Sequence, residues 1–207
     1  MILLLVVASV HPGAQEIPGV RFSWALLCRD PEGQAIEVDY DAHILHLASG
    51  ATFRFLIKPL SVCYTYLYLD DAQGDLYPCF PESFSAWDAV NAVDRRNAIP
   101  GGDGWYRLDE RGGTEVFYLI VSRYRLTELE ARTLAYLGGG AKGRRAARRR
   151  VLDGIRSLIT DNSPLAAVVA EKQTVVAGDF RGVEEEEVAG NFIEAGEVYV
   201  TTIRFGH

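Results

Sequence analysis

Cysteine is scarce in this chain, and what little there is forms no framework. Cys28, Cys63 and Cys79 are the only three, and an odd, widely spaced set excludes a small disulfide-stapled fold. Cys63 and Cys79 flank one predicted hairpin, but folding symmetrically about the turn at 70–75 brings Cys79 nearer Tyr66 than Cys63. The expectation is therefore three free, mostly buried thiols. Catalytic and cofactor signatures are missing as well. There is no G-x-S-x-G and no H-E-x-x-H, and "GGGAKGRR" at 138–145 has its lysine before the glycine and no following Ser or Thr, so it is not a Walker loop. No catalytic residue, cofactor or metal site is assigned. His43 and His46 lie three apart, which in a strand puts them on opposite faces and prevents joint ligation. "DDAQGD" at 70–75 lacks the alternating ligands and distal glutamate of a calcium loop, and reads as a polar turn.

Long hydrophobic runs are equally rare. Ile2 to Val10 is apolar apart from Ser9, with Gly13 and Ala14 after it. This pattern is that of the apolar segment and cleavage zone of a secretory signal, over residues 1–15, without the usual positive start. The other reading is an N-terminal strand. The run is too short to span a bilayer, which takes about 20 residues, and no other segment reads as transmembrane.

What the chain does have is β-pattern. "VRFSWALLC" and "AIEVDY" flank a Pro-Gly turn, and "HILHLASGATFRFLIKP" gives two strands about Gly50. In "VCYTYLYL", Val62, Tyr64, Tyr66 and Tyr68 face one way while Cys63, Thr65, Leu67 and Leu69 face the other. The tyrosines read as mostly interior. "LYPCFP" returns from the turn, and its two prolines mark it as an edge, which makes Tyr77 and Phe80 candidate contact residues. A short helix is predicted over Ser85 to Arg95. "WYRLDE" and "TEVFYLIVS" follow, the second as a buried central strand.

After Leu126 the period changes. "TELEARTLAYL" has helical spacing, with Thr127 as N-cap and Glu130 completing a capping box. Gly138 to Gly140 break it, at a faint boundary. In the next helix Val151, Leu152, Ile155, Leu158 and Ile159 share one face. A final strand, "EVYVTTIRF", closes the chain. The expected organisation is thus a β-sandwich core over 16–131, then over 132–207 a helical insert and a strand returning to the sheet. The class is mainly β (α+β): an antiparallel sandwich, immunoglobulin-like in general architecture.

Charge is unevenly distributed. "KGRRAARRR" at 142–150 holds six of the 21 basic residues, leaving 15 against 28 acidic residues elsewhere, a net −13 on the body. Lys142, Arg144, Arg145, Arg148, Arg149 and Arg150 could bind nucleic acid, anionic lipid or an acidic protein face. The alternative is a solvated helix neutralised by Glu184 to Glu187. Interleaved aromatics, the mark of a single-strand binder, are missing.

The order of these motifs resembles the bacterial family called domain of unknown function 4384. The matching pieces are Tyr64 to Tyr68, Gly74, Leu76 to Pro81, Ile99 with Pro100, and Gly113 to Ser122, within about residues 50–131. The chain departs from the family's pattern at "NAVDRRNAIP" and in the expanded "LYPCFP" step. The resemblance implies a small β-rich accessory domain, often in exported bacterial proteins, and carries no catalytic residues with it. Three functional expectations follow. The first is a non-catalytic, exported, periplasmic or envelope module binding a protein or cell-envelope component. The second is a cytoplasmic protein using 142–150 on nucleic acid or an acidic regulator. An enzyme of unrecognised type is the third.

Overall fold

Strand alternation sorts the side chains into layers. In the computed structural model, which describes residues 19–85, 93–162, 169–176 and 187–207, β1 (Val20–Arg29) pairs antiparallel with β4 (Thr52–Pro59). Phe22, Trp24, Leu26 and Cys28 from β1, and Phe53, Phe55 and Ile57 from β4, point to one side. They belong to a seven-stranded sheet whose main order is β10 (Val169–Val176), β11 (Glu187–Ala195), β1, β4, β7 (Asn97–Ile99). The two-residue strands β2 (Ala35–Ile36) and β8 (Tyr106–Arg107) attach to β1 and β4.

The facing sheet has five strands, in the order β3 (Leu45–His46), β12 (Val198–Gly206), β9 (Thr114–Ser122), β5 (Tyr64–Asp70), β6 (Leu76–Phe80). Its inward residues Leu67, Phe117, Leu119, Val121, Ile203 and Phe205 meet those of the first sheet. The fold is therefore a β-sandwich with a helical insert, and β9 is the buried central strand that its apolar run predicts. Only the β3–β12 pairing is parallel among the described pairs.

Phe53 sits at the centre of an aromatic cluster. Its ring stacks on Phe205 at 4.6 Å between centroids and meets Phe117 edge-on at 5.5 Å. Tyr106 closes the other side at 5.4 Å. The contacts with Phe205 and Phe117 cross from one sheet to the other and fix the spacing of the sandwich, while Tyr106 flanks Phe53 within its own sheet.

Polar groups complete the sheets where backbone pairing stops. The register of β1 with β11 runs out at Ala25 and Gly190. There the Tyr40 hydroxyl accepts from Leu26 N at 2.8 Å and donates to the Ala189 carbonyl at 2.9 Å, replacing the ladder bonds. On the outer face of the first sheet Arg54 is fully buried. It donates to the Gly102 and Pro100 carbonyls at 2.5 and 3.3 Å and lies over the Trp105 ring at 5.4 Å. The 100–105 loop folds over it.

Two helices, α1 (Thr127–Leu137) and α2 (Ala141–Asn162), form a hairpin on the outer face of the five-stranded sheet. The Gly138 to Gly140 break is the turn between them. The C-terminal part then supplies three strands, β10, β11 and β12, two to one sheet and one to the other, where the sequence led us to expect only the last. The N-terminal run Ile2 to Val10, and residues 86–92 of the predicted 85–95 helix, lie outside the described residues; Val93 and Asp94 form a turn.

All three thiols are free. The pairing of β5 with β6 sets Phe80 opposite Leu67 and Pro78 opposite Tyr68, so Cys79 is the extra residue of a bulge and is not set opposite Cys63. Burial pushes Cys28 and Cys63 up from 9.0 to about 12. Both groups hold their proton more tightly when folded. Their contribution is complete below pH 9 and falls as pH rises toward 12.

Two outcomes are expected. Phe53→Ala lowers unfolding free energy by about 3–5 kcal/mol in urea titrations, because it opens a cavity between the sheets. Stability declines above pH 9, by up to about 1.4 kcal/mol per pH unit for each buried thiol, and Cys63→Ala makes that decline shallower; an unchanged slope would show that Cys63 does not contribute.

Candidate helical contact surface

The helical hairpin is held to the sheet by the tyrosine row. Tyr66 and Tyr68 are fully buried, and they face the helices while Leu67 between them faces the sandwich core. The row is therefore interior, but in a second core rather than the first. There Val151, Leu152 and Ile155 of α2 pack with Leu129 and Tyr136 of α1, and Leu158 and Ile159 join at the periphery.

Buried phenols need partners. Tyr66 Oη donates to Glu130 Oε1 at 2.8 Å and accepts from Leu126 N at 2.8 Å. Glu130, only 4% exposed, also receives Arg125 on both carboxylate oxygens. Tyr68 Oη lies 3.0 Å from Thr133 Oγ1. Thr133 donates its own proton to the Leu129 carbonyl at 2.8 Å, so Tyr68 is the donor of the pair. Tyr136, coming from α1, accepts from Leu76 N at 3.1 Å. Burial, the largest cause, pushes both the Tyr66 and Tyr68 phenols well above their usual range, and the Glu130 charge adds to it.

This arrangement corrects the capping box. Leu126, not Thr127, occupies the N-cap, and no side chain caps the helix. Glu130 turns inward to Tyr66 and Arg125 instead of back to the N-cap backbone. Residue type alone suggests the cap, but the buried Tyr66 phenol and the Arg125 guanidinium together outcompete a single backbone amide for Glu130.

The cationic block is divided by helical period. Arg144 and Arg148, four residues apart, face the sheet. Arg148 pairs with Asp70, their side chains 25% and 16% exposed. Arg144 pairs with Asp75 at 3.4 Å and lies 5.1 Å from the Tyr136 ring centroid. The polar turn "DDAQGD" therefore receives the basic helix. Within it Asp71 accepts from Asp75 N at 2.6 Å, and Gly74 takes φ +88° to close the turn. Lys142, Arg145, Arg149 and Arg150 are exposed and make no side-chain ion pair among the described residues. Glu184 to Glu186, offered by the sequence as neutralising partners, lie outside those residues.

No family model matches the chain, and no curated protein or solved structure matches it.

The edge residues occupy a different place. β6 is the outer strand of its sheet, and Pro78 removes a donor from it. Tyr77 is 45% exposed, whereas Phe80 packs partly buried against the sandwich core. The two sets of predicted contact residues come together at Asp75, which pairs with Arg144 and precedes Tyr77 by two residues. His43 and His46 are both exposed, and only His46 lies in a strand. A cleft of about 590 Å³ lies away from the hairpin, among Asp94, Arg95, Arg96, Asn97 and the Gly101–Gly102 backbone. Among the described residues its lining sets no nucleophile beside a base.

Asp70 and Asp75 as arginine partners, and Glu130 as a buried acceptor, were not found from sequence. The available signal was the i, i+4 spacing of Arg144 and Arg148 on the same face as Val151 and Ile155.

Tyr66→Phe leaves the buried Leu126 amide without its acceptor and takes one of two donors from Glu130 Oε1, and is expected to lower stability by about 1–3 kcal/mol. Tyr68→Phe removes one donor only and should cost about 0.5–1.5 kcal/mol. Urea midpoints that rank the two in the opposite order would show that Tyr66 is not the principal lock.

Proposed function

We propose that the protein is a non-catalytic, exported accessory module of the cell envelope that displays a cationic helix to an anionic partner. We further propose that it belongs to the domain of unknown function 4384 family, whose motif order it shares. One observation carries the reading. Arg144 and Arg148 fasten α2 to the sheet, while Lys142, Arg145, Arg149 and Arg150 of the same block face outward. A helix so fixed presents its charges at constant positions, which favours rapid, oriented encounter with an opposite charge.

Other features support the same view. The polar groups buried beneath the helices, Tyr66, Tyr68, Glu130 and Thr133, are engaged with one another. Their chemistry serves attachment. The apolar run Ile2 to Val10 supports export. Among the described residues no helix is long and apolar enough to cross a membrane.

A labelled polyglutamate peptide tests the charge reading directly. It is expected to bind the full chain at low salt, and to weaken at least about 10-fold when Arg145, Arg149 and Arg150 become Gln. Thermal stability should be nearly unchanged, because cations as exposed as these contribute little to it. Undiminished binding by the triple variant would remove this face as the contact. Tighter binding to duplex DNA, with a steep salt dependence, would favour the nucleic-acid alternative.

A further inference from the structure

The turn of the helical hairpin combines two properties that the acidic body lacks. From Ala131 to Leu152 the chain contains no Asp or Glu. At the end of α1, Leu134 and Leu137 are 58% and 54% exposed. Ala131, Ala135 and the glycines at 138–140 around them are exposed too. Just past that turn, Lys142, Arg145 and Arg149 fall three and four residues apart along one stripe of α2, exposed to solvent. Leu137 and Lys142 thus flank the same three-glycine turn.

Single exposed leucines are ordinary on protein surfaces. These two differ in their setting, at the exposed turn of a hairpin, on a helical face from Ala131 to Gly138 whose exposed residues are apolar, and next to a row of cations. Apolar side chains that can enter the headgroup boundary, beside cations that meet anionic headgroups, make up the chemistry of a peripheral membrane contact. We propose that the hairpin turn docks the protein on an anionic phospholipid bilayer, with Leu134 and Leu137 entering the interface and Lys142, Arg145 and Arg149 pairing with headgroup phosphates.

This inference rests on the hairpin being the contact surface, and it names the partner. Charge complementarity selects the lipid and also the orientation. The rest of the chain, at a net −13, is repelled by the same headgroups, so the turn points toward the bilayer. Nucleic acid gains nothing from exposed leucines, and no aromatics are interleaved with the cations to stack on bases.

Sedimentation of the full chain with vesicles tests it. Vesicles of phosphatidylglycerol mixed equally with phosphatidylcholine are expected to bind the protein, and pure phosphatidylcholine vesicles are not. Replacing Lys142, Arg145 and Arg149 by Gln should lower partitioning roughly 100-fold. Replacing Leu134 and Leu137 by Ser should lower it roughly 10-fold, with helix content by circular dichroism unchanged in both variants. Vesicle binding that ignores the leucine change would be adhesion to any polyanion and would overturn the docking. No binding to anionic vesicles, with polyglutamate still bound, would overturn the lipid assignment and leave the anionic-partner reading standing. Failure with both probes would overturn both.

Discussion

A buried hydroxyl without a partner destabilises a fold by about 1–3 kcal/mol, and β5 buries two of them, on Tyr66 and Tyr68, on the face of the sheet away from the sandwich core. That constraint shapes everything placed above them. A helix with Glu130 and Thr133 three residues apart presents both acceptors on one face, at distances of 2.8 and 3.0 Å from the two phenols. The start of α1 is fixed by the same group, since Tyr66 also takes the Leu126 amide. Once α1 is seated, the three-glycine turn returns α2 beside it. Gly154 then lets the Arg132 side chain pass, where a Cβ would come within 2.9 Å of Nη1, to reach the Arg150 carbonyl at 3.2 Å.

Strand periodicity made the sandwich legible. The two faces of β5 are assigned correctly by alternation, and so is the interior character of the tyrosines, because period 2 is a property of the backbone. Alternation does not say what covers the second face. A strand with tyrosines on its outer face looks the same in sequence whether those residues meet water, a helix or another chain. Glu130 shows the limit clearly. Its spacing from Thr127 fits a local cap, but the partner that wins lies 64 residues earlier in the chain. The strand β11 escaped for a related reason, since its partner β1 is at the other end of the chain and it carries glycine and asparagine where β-branched residues are expected; β10 in turn pairs with β11.

The basic block illustrates the same division for charge. Its helical period, read from the apolar residues that follow it, already sets Arg144 and Arg148 on the face of Val151 and Ile155. What the sequence withheld was the position of Asp70 and Asp75, which the hairpin turn between β5 and β6 carries to the end of the sheet under α2. A turn rich in carboxylates and a helix rich in arginines are each unremarkable alone. Joined, they neutralise two charges and leave four outward.

The two kinds of attachment also respond differently to surroundings. Arg144 and Asp75 are about half exposed, and a pair of that kind contributes little and is weakened by salt. The phenol network and the apolar contacts of Val151, Leu152 and Ile155 lie beyond the reach of screening. Raising ionic strength therefore loosens the rim of the helical layer before its centre, and α2 remains seated while its outward cations lose their long-range attraction. Recognition through Lys142, Arg145 and Arg149 can consequently be tuned by salt without unfolding the element that carries them. The ordering entropy a flexible basic segment would lose on binding has already been met here by burial of the opposite face.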